Sequence, residues 1–81
     1  MKIKRLIYQS WHRGCKETDE VLGPYASDRL SALQESEIAL FEQLLEENDW
    51  DIWNWFTGKE PPKPAYKQLI PAIVEHLKSR P

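Results

Sequence analysis

Apolar residues along this chain recur at spacings of three and four and nowhere alternate cleanly, a pattern that predicts helices and no strands. Ile3, Leu6, Ile7 and Trp11 stack on one side of a first helix that ends near Gly14, a residue suited to the left-handed position after a helix. A second helix starts around Glu17. Glu17, Asp19 and Glu20 lie in its first turn, where acids complement the dipole, and Val21, Leu22, Tyr25 and Ala26 form its inner face. Gly23 and Pro24 should kink or end it, because proline removes a backbone donor and clashes one turn back. Residues 27 to 33 then read as a connection. Leu33, Ile38, Phe41, Leu44 and Leu45 give a third helix its apolar face, with glutamates outside and an indifferent start at Gln34 or Ser36.

Asn48 or Asp49 can cap a short fourth helix, "WDIWNWF", closed by Gly58. It carries three of the four tryptophans and is aromatic nearly all round. Such a segment should be wedged between other helices with one ring partly exposed, since Trp is rarely buried completely. "GKEPPKP" follows as a spacer. The last helix runs from about Ala65 to Lys78, turns Tyr66, Leu69, Ile70, Ile73, Val74 and Leu77 inward, and should bend at Pro71. His76 falls in its last turn, where a polar, partly cationic residue suits the dipole. The expected fold is all-α, a small five-helix bundle forming a single domain over residues 1–81, with no internal repeat.

Size argues against an enzyme. A chain of 81 residues buries only a little over ~60% of its unfolded surface, and a ligand pocket of roughly 300 Å³ would come out of a thin core. Eleven basic residues against 13 acidic ones, net −2, with no single-sign stripe, exclude a typical nucleic-acid binder, whose affinity comes from neutralising phosphates. The single cysteine, Cys15, allows no internal disulfide, and the first residues lack a signal or transit pattern. These features point to a reducing, cytoplasmic setting. No apolar run approaches the ~18 residues that span a bilayer, so membrane insertion is not expected.

One stretch concentrates chemistry: "WHRGCKETD", residues 11–19. His12, Cys15 and Glu17 are the residue types of a base, a nucleophile and an orienting acid. Such groups normally converge from distant parts of a chain, however, and no cysteine-enzyme signature surrounds Cys15. Zinc needs paired Cys or His spacings that are missing, even with distant His76 included. Two readings remain. In one, Gly14 allows close approach of a partner's backbone, Arg13 offers a planar fork to a carboxylate or phosphate, and Glu17 accepts from the partner or braces Arg13. In the other, Gly14 merely caps the first helix while Arg13 and Glu17 form a solvated pair worth under ~1 kcal/mol; spacing alone favours this one, because surface ion pairs are common.

The order of features around that stretch adds a resemblance. "RGCKETD" at 13–19, "LG" at 22–23, "ALFEQLLEENDWDIWNWFTG" at 39–58 and the proline-rich link together resemble the succinate dehydrogenase FAD assembly factor family, also called succinate dehydrogenase assembly factor 2. These are small five-helix proteins with an Arg-Gly-x-x-Glu signature after the first helix. The resemblance implies a chaperone-like helper, not an enzyme. It would bind the flavoprotein subunit of succinate dehydrogenase, and possibly fumarate reductase, and promote covalent attachment of FAD. It also implies that FAD belongs to the partner, with no cofactor or metal stably held by this chain. Carried onto this sequence, Arg13, Gly14 and Glu17 would contact the flavoprotein near its flavin, with Trp11, His12, Lys16 and Asp19 beside them. The alternative is a generic helical adaptor that binds through exposed tryptophans of the fourth helix or through the last helix.

Overall fold

The computed structural model describes residues 2–80, and they form an all-α bundle with no strand among them. Five helices follow in order: α1 (Lys2–Trp11), α2 (Lys16–Arg29), α3 (Glu35–Leu44), α4 (Asp49–Thr57) and α5 (Leu69–Ser79). Short 3-10 turns at Leu30–Ala32 and Pro64–Tyr66 precede α3 and α5. The helical periodicity located the core well: Leu6, Leu22, Ala26, Phe41, Leu44, Ile52, Tyr66 and Ile73 are all wholly or almost wholly buried. Leu30, within the stretch expected to be a connection, is buried too.

Helix α2 is the axis of the bundle. It packs against α1, α4 and α5, and every residue from Val21 to Ala26 is buried. The expected kink or end at Gly23-Pro24 does not occur, and the helix continues to Arg29 with Pro24 inside it. Two causes account for this. Burying large apolar side chains such as Val21, Leu22 and Tyr25 contributes about 1.5–3 kcal/mol each, which outweighs the roughly 3 kcal/mol of an interior proline. Gly23 also lacks the Cβ with which a following proline ring would clash in the α conformation.

Gly23 has a second role. A Cβ there would fall 2.6 Å from Cε2 and Cε3 of Trp11, so the indole lies directly on the backbone of α2. Its Nε1–H donates to Ser27 Oγ at 2.9 Å. Trp11 thereby clamps the end of α1 across the middle of α2.

Pro71 does not bend α5, because that helix begins at Leu69 and not near Ala65. Pro71 therefore occupies the first turn, where backbone N–H groups have no intrahelical partner to lose. Tyr66 belongs to the preceding 3-10 turn. The indifferent cap of α3 is rescued by its third residue: Glu37 Oε1 accepts the Gln34 N–H at 3.0 Å. At α4, Asn48 Oδ1 accepts the Trp50 N–H at 2.8 Å, and Gly58 closes the helix in the left-handed region, φ +79°. His76 ties α5 to α2, with Nε2 donating to Asp28 Oδ2 at 3.0 Å beside Arg80 Nε, also at 3.0 Å.

The end of α3 is fastened to the 3-10 turn before α5 by a small polar cluster. Tyr66 Oη–H donates to Glu47 Oε2 at 2.7 Å, and Lys63 Nζ donates to Oε1 at 3.0 Å. The Tyr66 hydrogen bond first, then that of Lys63, hold the Glu47 carboxyl below its ordinary value of 4.5. Burial, then the Glu47 carboxylate, push Tyr66 up to about 12.

Two outcomes are expected. Gly23→Ala should lower the melting temperature followed by circular dichroism, since overpacking costs roughly 1–3 kcal/mol against the ~1 kcal/mol that alanine regains in helix propensity. Glu47 is a carboxyl with a depressed folded value, so the stability it contributes is fully present above the ordinary value of 4.5 and is lost as pH falls below it. Glu47→Gln should be less stable than the parent at neutral pH, and the gap in melting temperature should close on acidification.

Candidate functional site

The signature turn begins where His12 stops α1. Its backbone N–H reaches Gln9 O at 3.3 Å, and its ring, stacked on Tyr8 with centroids 4.1 Å apart, donates from Nδ1 to Tyr8 O at 2.9 Å. The chain reverses at Gly14, whose φ is +93°. No atom lies within 4 Å of the place a Cβ would take, so the backbone conformation, and not crowding, calls for glycine. An L side chain there costs roughly 1–2 kcal/mol. Cys15 then adopts an extended conformation as the N-cap of α2. Asp19 Oδ1 folds back to accept the Arg13 N–H at 3.0 Å, and the Asp19 N–H donates to Cys15 O at 2.9 Å.

Arg13 does not present its fork to the outside. Its side chain is only 12% exposed and makes three bonds to the junction between α3 and α4. Nε donates to Asp49 Oδ1 at 2.7 Å, Nη1 to Leu45 O at 2.6 Å and Nη2 to Glu47 O at 2.8 Å. Leu45 is the C-cap of α3, where orphan acceptors and the helix dipole both favour a cation, and Glu47 lies in the turn that follows. Asp49, the first residue of α4, supplies an anion where that dipole wants one. Asp49 Oδ1 also lies 3.1 Å from the hydroxyl of wholly buried Thr18. The expected brace between Glu17 and Arg13 is therefore corrected: Asp49 holds the guanidinium, from 36 residues away in sequence.

What remains outward is Gly14, Lys16 and Glu17, all exposed. They border an open groove of roughly 410 Å³ whose opposite wall is Asn48, Asp49 and Trp50. Trp50 is 71% exposed, the partly uncovered ring that the aromatic run led one to expect. Of the other signature neighbours, His12 is exposed but occupied with Tyr8, Asp19 is half-buried, and Trp11 is spent on Gly23 and Ser27. Neither Asp49 nor Trp50 is among the site residues expected from the sequence. In the sequence Asp49 shows only as a cap, and its pairing with Arg13 leaves no mark in local spacing.

Among the described residues, no hydrogen bond joins His12 to Cys15 or Glu17, and the nearest contact of that trio is Cys15 Sγ to Glu17 Oε1 at 3.7 Å. No three His, Cys, Asp or Glu side chains among them gather into a possible metal site. No helix among the described residues is long and apolar enough to cross a membrane.

A family model described as the flavinator of succinate dehydrogenase matches residues 4–79. The chain belongs to this family. It is 37% identical to the mitochondrial succinate dehydrogenase assembly factor 2 of Drosophila grimshawi, covering 98% of this chain and 56% of that protein. Identity is 39% with the like-named protein of Cryptococcus neoformans, over 93% of this chain and 44% of the relative. It is 34% with that of Danio rerio, over 99% and 52% respectively. The chain thus spans about half the length of these relatives. Their names overturn the cytoplasmic expectation, since each of these flavinator-family proteins is called mitochondrial. The physical premises were weak: a lone cysteine excludes an internal disulfide without distinguishing one reducing compartment from another.

Because three acceptors converge on one guanidinium, Arg13→Ala should destabilise this flavinator-family fold by about 2–4 kcal/mol in urea titrations. Arg13→Lys should recover only part of that loss, because a single ammonium cannot match the planar fork. Lys16→Ala, on the exposed side of the same turn, should stay within about 0.5 kcal/mol of the parent.

Proposed function

We propose that this protein binds the flavoprotein subunit of succinate dehydrogenase and promotes covalent attachment of FAD to it, acting as a helper without turnover of its own. The observation that carries the reading is the family match over residues 4–79, joined to a signature turn whose outward residues are free to be contacted. Gly14 and Glu17 make the central contact, with Lys16 beside them. Arg13 serves chiefly by holding the turn in position, and Trp11, His12 and Asp19 shape its edges. FAD is the partner's group in this reading, and no cofactor is held by this chain. The relatives' names support succinate dehydrogenase and lend nothing to fumarate reductase, so the proposal is confined to the former.

The thermodynamics of a helper impose one requirement. A bound protein shifts a conformational equilibrium only by its differential affinity for the states. The factor must therefore bind the FAD-loaded subunit before attachment more tightly than the finished one, and release follows from that difference. Open, mixed in polarity and lined largely by surface side chains, the groove suits recognition of another protein better than chemistry in a dry cavity.

Glu17→Ala tests this directly. Its carboxylate is exposed and makes no ion pair among the described residues, so the melting temperature should hardly move. In-gel fluorescence of covalent flavin on the co-expressed flavoprotein subunit should fall several-fold or more. Undiminished flavin with Glu17→Ala and with Glu17→Arg alike would rule out this surface as the working one.

A further inference from the structure

Each tryptophan but one has an evident structural use. Trp11 clamps α1 to α2, Trp55 is buried against Tyr66 with ring centroids 5.5 Å apart, and Trp53 packs against the core. Trp50 is 71% exposed, joins no aromatic pair, and its indole N–H has no acceptor among the described residues. A tryptophan can bury ~150–250 Å² and is among the residues most often found to dominate binding energies. Its position is not casual. Asn48 caps the backbone at Trp50, and Asp49 is locked to Arg13, so the backbone that carries the ring is fixed at a groove also lined by Gly14, Cys15, Lys16 and Glu17.

The charges around it have a sign. Arg13 offsets Asp49 and Lys16 balances Glu17 on the groove, while the exposed carboxylate of Asp51, next to Trp50 in sequence, forms no ion pair among the described residues. That leaves one negative charge in excess beside the ring, which makes it complementary to an apolar socket edged with cations.

We infer that Trp50 is the anchor of the groove, inserting its ring into an apolar socket on the flavoprotein subunit that is rimmed by lysine or arginine. This deepens the function proposed above and rests on it. The socket supplies what the fold withholds from this ring, a covered apolar face, while Asp51 steers the approach and the signature turn fixes the register.

The test measures affinity for the purified, FAD-loaded flavoprotein subunit at two salt concentrations, with melting temperature alongside. Trp50→Ala should weaken binding about 30-fold or more, and Trp50→Phe by less, with melting unchanged for both. Trp50→Gln, with an equally good helix former, carries the same expectation as Trp50→Ala should the latter disturb folding. Asp51→Asn should flatten the salt dependence of association. If Glu17→Ala abolishes binding while all the Trp50 variants bind like the parent, the anchor is refuted and the proposed function stands. If neither position matters, the proposed function fails with it. A dimer of the free protein that Trp50→Ala dissolves, with a gain in flavoprotein affinity, would assign the ring to self-association and overturn the inference.

Discussion

The guanidinium of Arg13 is the point on which the architecture of this molecule turns. Three nitrogens of one side chain reach the carbonyls of Leu45 and Glu47 and the carboxylate of Asp49, so one residue from the first loop settles the geometry between α3 and α4. Without it, the carbonyls of Leu45 and Glu47 and the Asp49 carboxylate would be left to solvent. The contact works in both directions. The loop secures the junction, and the junction prevents the loop from taking any of the other conformations that glycine at position 14 would permit.

A second constraint lies at the centre of α2. Gly23 admits the Trp11 indole onto the helix backbone and relieves the crowding that Pro24 would otherwise impose on its predecessor. A residue pair that reads as a helix breaker is, in this setting, what lets α1 lie close against an uninterrupted α2. Ser27, one turn beyond Gly23, completes the clamp by accepting from the indole. The family signature and this clamp are adjacent in sequence and act in succession: Trp11 fixes where α1 ends, and Arg13 fixes where the chain goes next.

Much of the fold was legible in the sequence because a period of 3.6 residues is a local property. Leu6, Leu22, Phe41, Leu44 and Ile73 could each be assigned to the core from their neighbours alone. The misreadings share a cause in non-local context. Pro24 looked disruptive because the burial that outweighs its cost comes from three other helices, and Pro71 looked disruptive because the start of α5 was placed four residues too early. The signature is legible, but local spacing offers Arg13 only Glu17 or an outside partner for its fork. Nothing in the spacing announces that an acid 36 positions away sits closer in space. Trp50 was foreseen as an exposed ring without being connected to the turn it faces.

The way Asp19 and Arg13 close the signature turn has an energetic consequence for any partner. Both ends of the turn are fastened, by the Arg13 N–H to Asp19 and by the guanidinium to the α3–α4 junction. Fixing a residue's backbone costs about 1–2 kcal/mol in lost conformational entropy, and a mobile loop would surrender that at the moment of complex formation. Here folding has already exacted it. The turn arrives preorganised, so even a modest contact area on its outward side can be converted into affinity with little deducted for ordering.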